Sequence, residues 1–400
     1  VLDFYFIKRF HNKKFDSISI NKIITKLKRK GSDLLYGSKG VCVGNKTKDA
    51  DHLLGRQFIR TSKNFNALFR YHINYRKNCR WEEPKVERPR ESHFFLPPML
   101  LLKKGLKNNF QLVASICDKE AVYTDDIFAI KCYRNNNTLD NILGLINSDL
   151  MTYFVFMSGS STGIEREQVF NEDIHPFPVI LENKIADKVE ILLALHKKAY
   201  GENVDEFKLG GQETEIKKVE KDLNELIFNL YKISDSERDL MDYVFEISIP
   251  LLQDKRNRKP FNRASKIELE DYARLFIEHF SRLHSSEESG YFSVEIYQTP
   301  HIAAMNFKVT PRKPAEVITW RNDQNTGAII ELMAGLAFQK VSNKLFIQKD
   351  VKGINKDFFY VIKPNQYKFW HRAIARLDII EFENTMLESQ LDKELYEQDR

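Results

Sequence analysis

Long apolar runs are missing from this chain. No stretch reaches the roughly 18 residues of a membrane span; the longest, around Phe94–Leu102 and Leu150–Met157, have the length of a core strand or helix. No small-residue cleavage site follows an apolar segment behind Val1–Phe10, so this start does not read as a secretory leader. The first residue is Val rather than Met, as expected of a trimmed fragment or, alternatively, of an unusual start. Cysteine is scarce. Cys42, Cys79, Cys117 and Cys132 lie far apart, with no C-x-x-C pair and no His at ligand spacing, which speaks against a disulfide framework or zinc site and for a reduced, cytoplasmic chain. No internal repeat or low-complexity tract is visible, which removes solenoids and fibrous arrays.

Several catalytic signatures are also missing. Methylation of adenine N6 uses an (Asp/Asn/Ser)-Pro-Pro-(Tyr/Phe) loop, in which a polar acceptor meets the amino group and an aromatic ring stacks on the flipped base. The one Pro-Pro here is Leu96-Pro97-Pro98-Met99, with neither group. A methyl donor would sit at a Gly-rich strand-to-helix turn, and none is present. A Ser hydrolase would need a Gly-x-Ser-x-Gly elbow, also absent. Metal-dependent hydrolysis needs paired carboxylates near a Lys; Glu295, Glu316, Asp350 and Lys352 are loose ingredients of that kind, and a nuclease stays open as an alternative. His279, His284 and His371 read as structural or surface groups.

What is present is an uneven distribution of charge. The net charge is only +6, but residues 1–110 hold 25 Lys and Arg against 9 Asp and Glu, while residues 181–250 hold 10 against 16. One end is therefore suited to a polyanion and the other is not. Between Arg56 and Lys107 cations alternate with Phe58, Phe65, Phe69, Tyr71, Tyr75 and Trp81. Lys and Arg contact phosphates with release of counterions, and Arg also reads guanine through two parallel hydrogen bonds. The plainer alternative is a solvated charged face over ordinary core aromatics.

Four hundred residues imply two or three domains. Hydrophobic patterning predicts an α+β chain in three zones: a β-rich domain over 1–180, a helical connector over 181–247, and a C-terminal α+β domain over 248–400. In the first zone, strands are expected at Phe94–Lys103 and Glu120–Cys132 and one amphipathic helix over Leu139–Met157. A Gly159–Gly163 loop and the extended His175-Pro176-Phe177-Pro178 follow. In the second, Ile185, Val189, Leu192 and His196 mark one helix face, and Ile216, Val219, Leu223, Ile227 and Leu230 another. Gly201–Gly211 reads as the loop between them, and Ser234-Asp235-Ser236-Glu237 as the box capping a third helix. In the third, a helix is expected over Lys266–His284, strands at Tyr291–Gln298, Ala303–Val309, Ala315–Trp320 and Phe358–Ile362, an apolar helix at Gly327–Phe338, and a last helix from Asn365 to Leu391.

The order of segments carries a resemblance. Gly40-Val41-Cys42-Val43-Gly44-Asn45 precedes Leu54-Gly55-Arg56-Gln57-Phe58-Ile59, then Tyr71-His72-Ile73-Asn74-Tyr75 and the apolar run ending in Lys103-Lys104. Downstream come Ile142–Ser148 with its Leu-Ile-Asn-Ser, a Val169–Pro178 segment ending Pro-Phe-Pro, and Leu223–Tyr231 before a capped helix. Over roughly residues 30–245 this order resembles the target-recognition region of type IIG and type I-like bacterial restriction–modification N6-adenine DNA methyltransferases, without their catalytic domain. Residues 248–400 lie beyond it.

The resemblance implies recognition of double-stranded DNA in an anti-phage system. A methyltransferase catalytic domain or subunit, carrying S-adenosylmethionine, would be missing from this chain or supplied by a partner; no cofactor is expected on the chain itself. The residues expected at DNA are Arg56, Arg60, Lys63, Arg70, Arg76, Lys77, Arg80, Arg88, Arg90, Lys103, Lys104 and Lys107, with Ser160, Ser161 and Thr162 on the flexible loop. The helical connector is expected to pack on a partner domain or a second copy. Two other readings stand beside this one: a non-catalytic assembly subunit of a phage-defence complex, and a restriction nuclease with its site in 248–400.

Overall fold

A computed structural model describes residues 35–62, 65–75, 79–106, 108–132, 136–159, 161, 168–174, 177, 179–200, 209–253, 259–282, 284–321, 350–354 and 358–398. Helices and several sheets make it an α+β protein. The chain forms two compact units that divide between Ser234 and Asp235.

The first unit is built on a four-stranded antiparallel sheet of β1 (Leu35–Lys39), β4 (Met99–Lys103), β5 (Ala114–Cys117) and β7 (Ile127–Cys132), in the order β1-β7-β4-β5. A smaller three-stranded sheet joins β2 (Gln57–Ile59), β3 (Cys79–Arg80) and β6 (Ala121–Tyr123), with β2 central and parallel to β6. In β4, Met99, Leu100, Leu101 and Leu102 are all fully buried, because the strand is central and covered on both faces. Each such side chain contributes about 1.5–3 kcal/mol relative to exposure.

Several expectations for this unit need correction. The strand predicted from Phe94 begins only at Met99; a 3-10 turn occupies Ser92–Phe95, and the Pro97-Pro98 pair supplies no N–H for a ladder. The stretch Glu120–Cys132 is two strands, β6 and β7, divided at a turn where Asp126 accepts from the Thr61 and Thr124 hydroxyls. The single helix expected over Leu139–Met157 is two, α1 (Asn136–Ile146) and α2 (Asp149–Ser158). Ser148 separates them: its hydroxyl donates to the Leu145 carbonyl (2.6 Å) and caps α2 by accepting from the Met151 N–H (3.2 Å). The segment from Val169 makes one ladder contact, its N–H donating to the Lys104 carbonyl (2.9 Å), and then a helical turn, α3 (Asn171–Ile174). Asp173 starts that turn by accepting from the Phe170 N–H (2.8 Å). His175, Pro176 and Pro178 lie outside the described residues.

Two long helices follow, α4 (Asn183–Tyr200) and α5 (Leu209–Leu230). Gly210 and Gly211, expected in a loop, belong to α5. Ile185, Val189, Leu192 and His196 are buried, as their spacing requires. Their face lies within the unit: a Cβ on Gly144 of α1 would come within 2.8 Å of Ile185 and 2.9 Å of Val189. Ile191 and Tyr200 remain exposed.

The second unit begins with α6 (Asp235–Tyr243), a π turn (Val244–Ser248) and α7 (Ile249–Gln253). Its sheet contains β8 (Gly290–Gln298), β9 (Ile302–Thr310), β10 (Ile318–Arg321), β11 (Val351–Ile354) and β12 (Phe358–Pro364). The order is β8-β9-β12-β11; β10 and the short strand Ser285–Ser286 share the outer edge of β8. Buried and partly buried residues alternate along β8, giving the period of two that one covered face imposes. Phe292, Val294 and Ile296 meet α8 (Lys266–Phe280) and α9 (Arg372–Gln398) in one aromatic-rich core, with Phe276 stacked 4.2 Å from Phe307. The Ser265–Glu268 capping box starts α8, which ends at Phe280 rather than His284. The helix expected at Gly327–Phe338 lies outside the described residues.

Candidate nucleic-acid interface

The cations expected at DNA differ sharply in placement. Arg70 is turned inward. One guanidinium nitrogen donates to the Asn147 carbonyl and another lies 3.4 Å from Glu220, leaving the side chain 15% exposed. Arg56 is similarly tied, donating to the Ser92 hydroxyl (2.9 Å) with Glu120 at 3.8 Å. Arg90 adopts a left-handed backbone and donates to the Gly40 carbonyl (3.2 Å). Three arginines are exposed. Arg60 lies over the Phe58 ring (5.5 Å) and near the Cys79 sulfur (4.0 Å), Arg80 donates to the Gly55 carbonyl (2.6 Å), and Arg88 sits 3.5 Å from Glu87. Lys103 and Lys104 are half-buried, the first beside Asn66 (3.5 Å) and the second over Phe170 (5.3 Å). Ser161 is half-buried in a turn. Lys63, Arg76, Lys77, Lys107, Ser160 and Thr162 lie outside the described residues.

The small sheet brings several of these together. β2 carries Gln57 and runs between Arg56 and Arg60; β3 ends in Arg80, and the register pairs Gln57 with Arg80 and Phe58 with Cys79. Phe58 meets Trp81 edge to face at 4.9 Å, and Trp81 is buried, so this side of the ribbon is anchored in the core. The pairing predicts nothing about phosphates by itself, but it places Arg60 and Arg80 on one ribbon. Gln57, which the sequence reading did not single out because it followed charge, opens β2 opposite Arg80.

Elsewhere the titratable groups serve packing. Tyr75 donates to Asp118 (3.1 Å) beside Cys117, whose thiol burial pushes up. Cys42, Cys79 and Cys117 are free thiols. In the second unit, Asp350 and Lys352 do come together, with Asp378 and Glu381 from α9 as further partners. The Lys352 ammonium occupies the centre of those three carboxylates, while Lys363 holds the other oxygen of buried Asp378. Burial would raise the Asp378 pKa, but the two lysines hold it below the usual carboxylate range. Glu295 is likewise drawn down to about 2: partial burial pushes it up, and hydrogen bonds from Lys308, Arg321 and Tyr297 outweigh that. Among the described residues no group of three or more His, Cys, Asp or Glu is placed to hold a metal, and no helix is long and apolar enough to cross a membrane.

No curated protein matches the chain. Residues 65–179, which hold Arg80, Arg88, Lys103, Lys104 and the α1–α2 break, match the profile of the TaqI-like C-terminal specificity domain, a target-recognition domain of restriction–modification systems.

Proposed function

We propose that the first unit recognises a specific double-stranded DNA sequence on behalf of an N6-adenine methyltransferase of a restriction–modification system. The observation that carries this reading is the specificity-domain match at 65–179, falling on the unit whose small sheet presents Arg60 and Arg80 outward. Phosphate contacts would set register and a few side chains would set sequence. The adenine would be flipped and methylated by a catalytic domain outside these 400 residues, using S-adenosylmethionine. Arg60, Arg80 and Arg88 are the contacts favoured by exposure, with half-buried Lys103 and Lys104 as further candidates, whereas Arg70 and Arg56 hold the fold.

Selection from a random duplex library tests the reading. Enrichment of one sequence is expected, with affinity falling as salt rises. Equal retention of every duplex would instead support an assembly subunit of a phage-defence complex, and magnesium-dependent nicking a nuclease.

A further inference from the structure

We infer that Gln57 and Arg80 are the base-reading pair of this module, taking adenine and guanine at neighbouring positions of the duplex from the major groove; this rests on the target-recognition reading above. The two residues are directly opposite in the antiparallel β2–β3 ladder. Their side chains therefore leave the same face, with Cβ atoms about 4.5–5.5 Å apart. Trp81, next along the chain from Arg80, is buried and meets half-buried Phe58 edge to face, so Arg80 and its ladder partner Gln57 leave the face opposite that pair.

Both side chains have their recognition groups available. Arg80 is exposed, and its one polar contact among the described residues is the bond from Nη1 to the Gly55 carbonyl (2.6 Å). That bond orients the guanidinium while leaving its other nitrogens open. Gln57 is half-exposed, and its amide has no polar partner among the described residues. Beside them Gly55 has a φ of +74°, with no heavy atom within 4 Å of where a Cβ would stand, so the surface is open to close approach.

The chemistry of these two side chains is distinct. Arg donates two parallel hydrogen bonds to guanine O6 and N7, and Gln pairs bidentately with adenine N6 and N7, both on the major-groove edge. Strands about 4.7–4.9 Å apart and base pairs stacked about 3.4 Å apart let the two residues address adjacent steps.

The test is random-duplex selection with the full 400-residue chain, its R80A, R80K and Q57A variants, and thermal unfolding to verify that each is folded. The wild type is expected to select a guanine beside an adenine. R80A should lose the guanine preference alone, a discrimination of roughly 5- to 150-fold, whereas R80K, which can still donate to O6 and N7, should keep the wild-type salt slope and a weaker guanine preference. Q57A should lose the adenine preference alone. A wild-type motif retained by R80A or by Q57A overturns the assignment. So does uniform weakening of all duplexes by R80A with a slope smaller by about 0.9, the mark of a phosphate contact. A wild type that selects no motif overturns the target-recognition reading itself, and the pair with it.

Discussion

Asn147 makes both hydrogen bonds of a missing strand neighbour to Ala114. Its side-chain oxygen accepts from the Ala114 N–H (3.1 Å) and its amide nitrogen donates to the Ala114 carbonyl (3.0 Å). Asn147 is buried between α1 and α2, and Ala114 opens β5, so one side chain ties the helix break to the sheet. The same residue's backbone carbonyl accepts from Arg70.

Asn147→Leu should therefore destabilise the first unit by about 1–3 kcal/mol, because it strands the buried Ala114 N–H, while the Ala114 carbonyl keeps the Tyr71 N–H (3.0 Å). Ser148→Ala, which removes the cap and the bond to the Leu145 carbonyl, should cost about 1–2 kcal/mol. Urea unfolding followed by circular dichroism measures both. An Asn147→Leu midpoint equal to that of the wild type would show that the bond pair does not hold the break.

Arg70 and Arg88 should behave oppositely. Arg70→Ala loses charge-assisted bonds to the Asn147 carbonyl and Glu220, and is expected to lower stability by about 1.5–3 kcal/mol. Arg88→Ala, at an exposed position, should leave the unfolding midpoint in place and reduce the salt slope of duplex binding by about 0.9. Reversal of the two outcomes would place Arg70 at the DNA and Arg88 in the fold.

His371 predicts a pH dependence for the second unit. Burial pushes its pKa down to about 4, against the opposing pull of Glu246 and Asp239. An unfolded chain takes up this proton near pH 6.5 and the folded one only near 4. The stabilising contribution is thus complete above pH 6.5 and is lost as pH falls to 4, about 3 kcal/mol in all. Melting temperature against pH should fall across that window, and less steeply in His371→Gln; parallel curves would assign the loss to other groups.

Gly144 should not tolerate a large side chain. Its missing Cβ is what lets Ile185 and Val189 of α4 approach α1, and Gly144→Leu is expected to cost about 1–3 kcal/mol through overpacking. Thermal unfolding of this variant checks the value, and a wild-type melting temperature would mean that α4 can shift without penalty.

The helices of this protein were legible where the pattern was long and one-faced. Ile185, Val189 and Leu192 are buried at the spacing of a 3.6-residue turn, and the Ser265–Glu268 box starts its helix where such a pair should. The break at Asn147 was not legible, because its apolar neighbours Ile146 and Leu150 keep helical spacing straight across it; the three polar residues between them signal a cap only once β5 is there to bind Asn147. The cation–aromatic stretch marked the right region without distinguishing its members. Arg70 and Arg80 look alike in sequence, yet the acceptor that draws Arg70 inward lies 77 positions away.

The sequence by itself determined the α+β character, the helix faces and the basic character of the leading third, since local periodicity and charge depend only on neighbouring residues. Tertiary structure alone decided which arginines became struts and which face water, and that Gln57 stands opposite Arg80. The physical reason is that a guanidinium's direction is set by where carbonyls and carboxylates from distant segments happen to converge, and strand register brings those segments together.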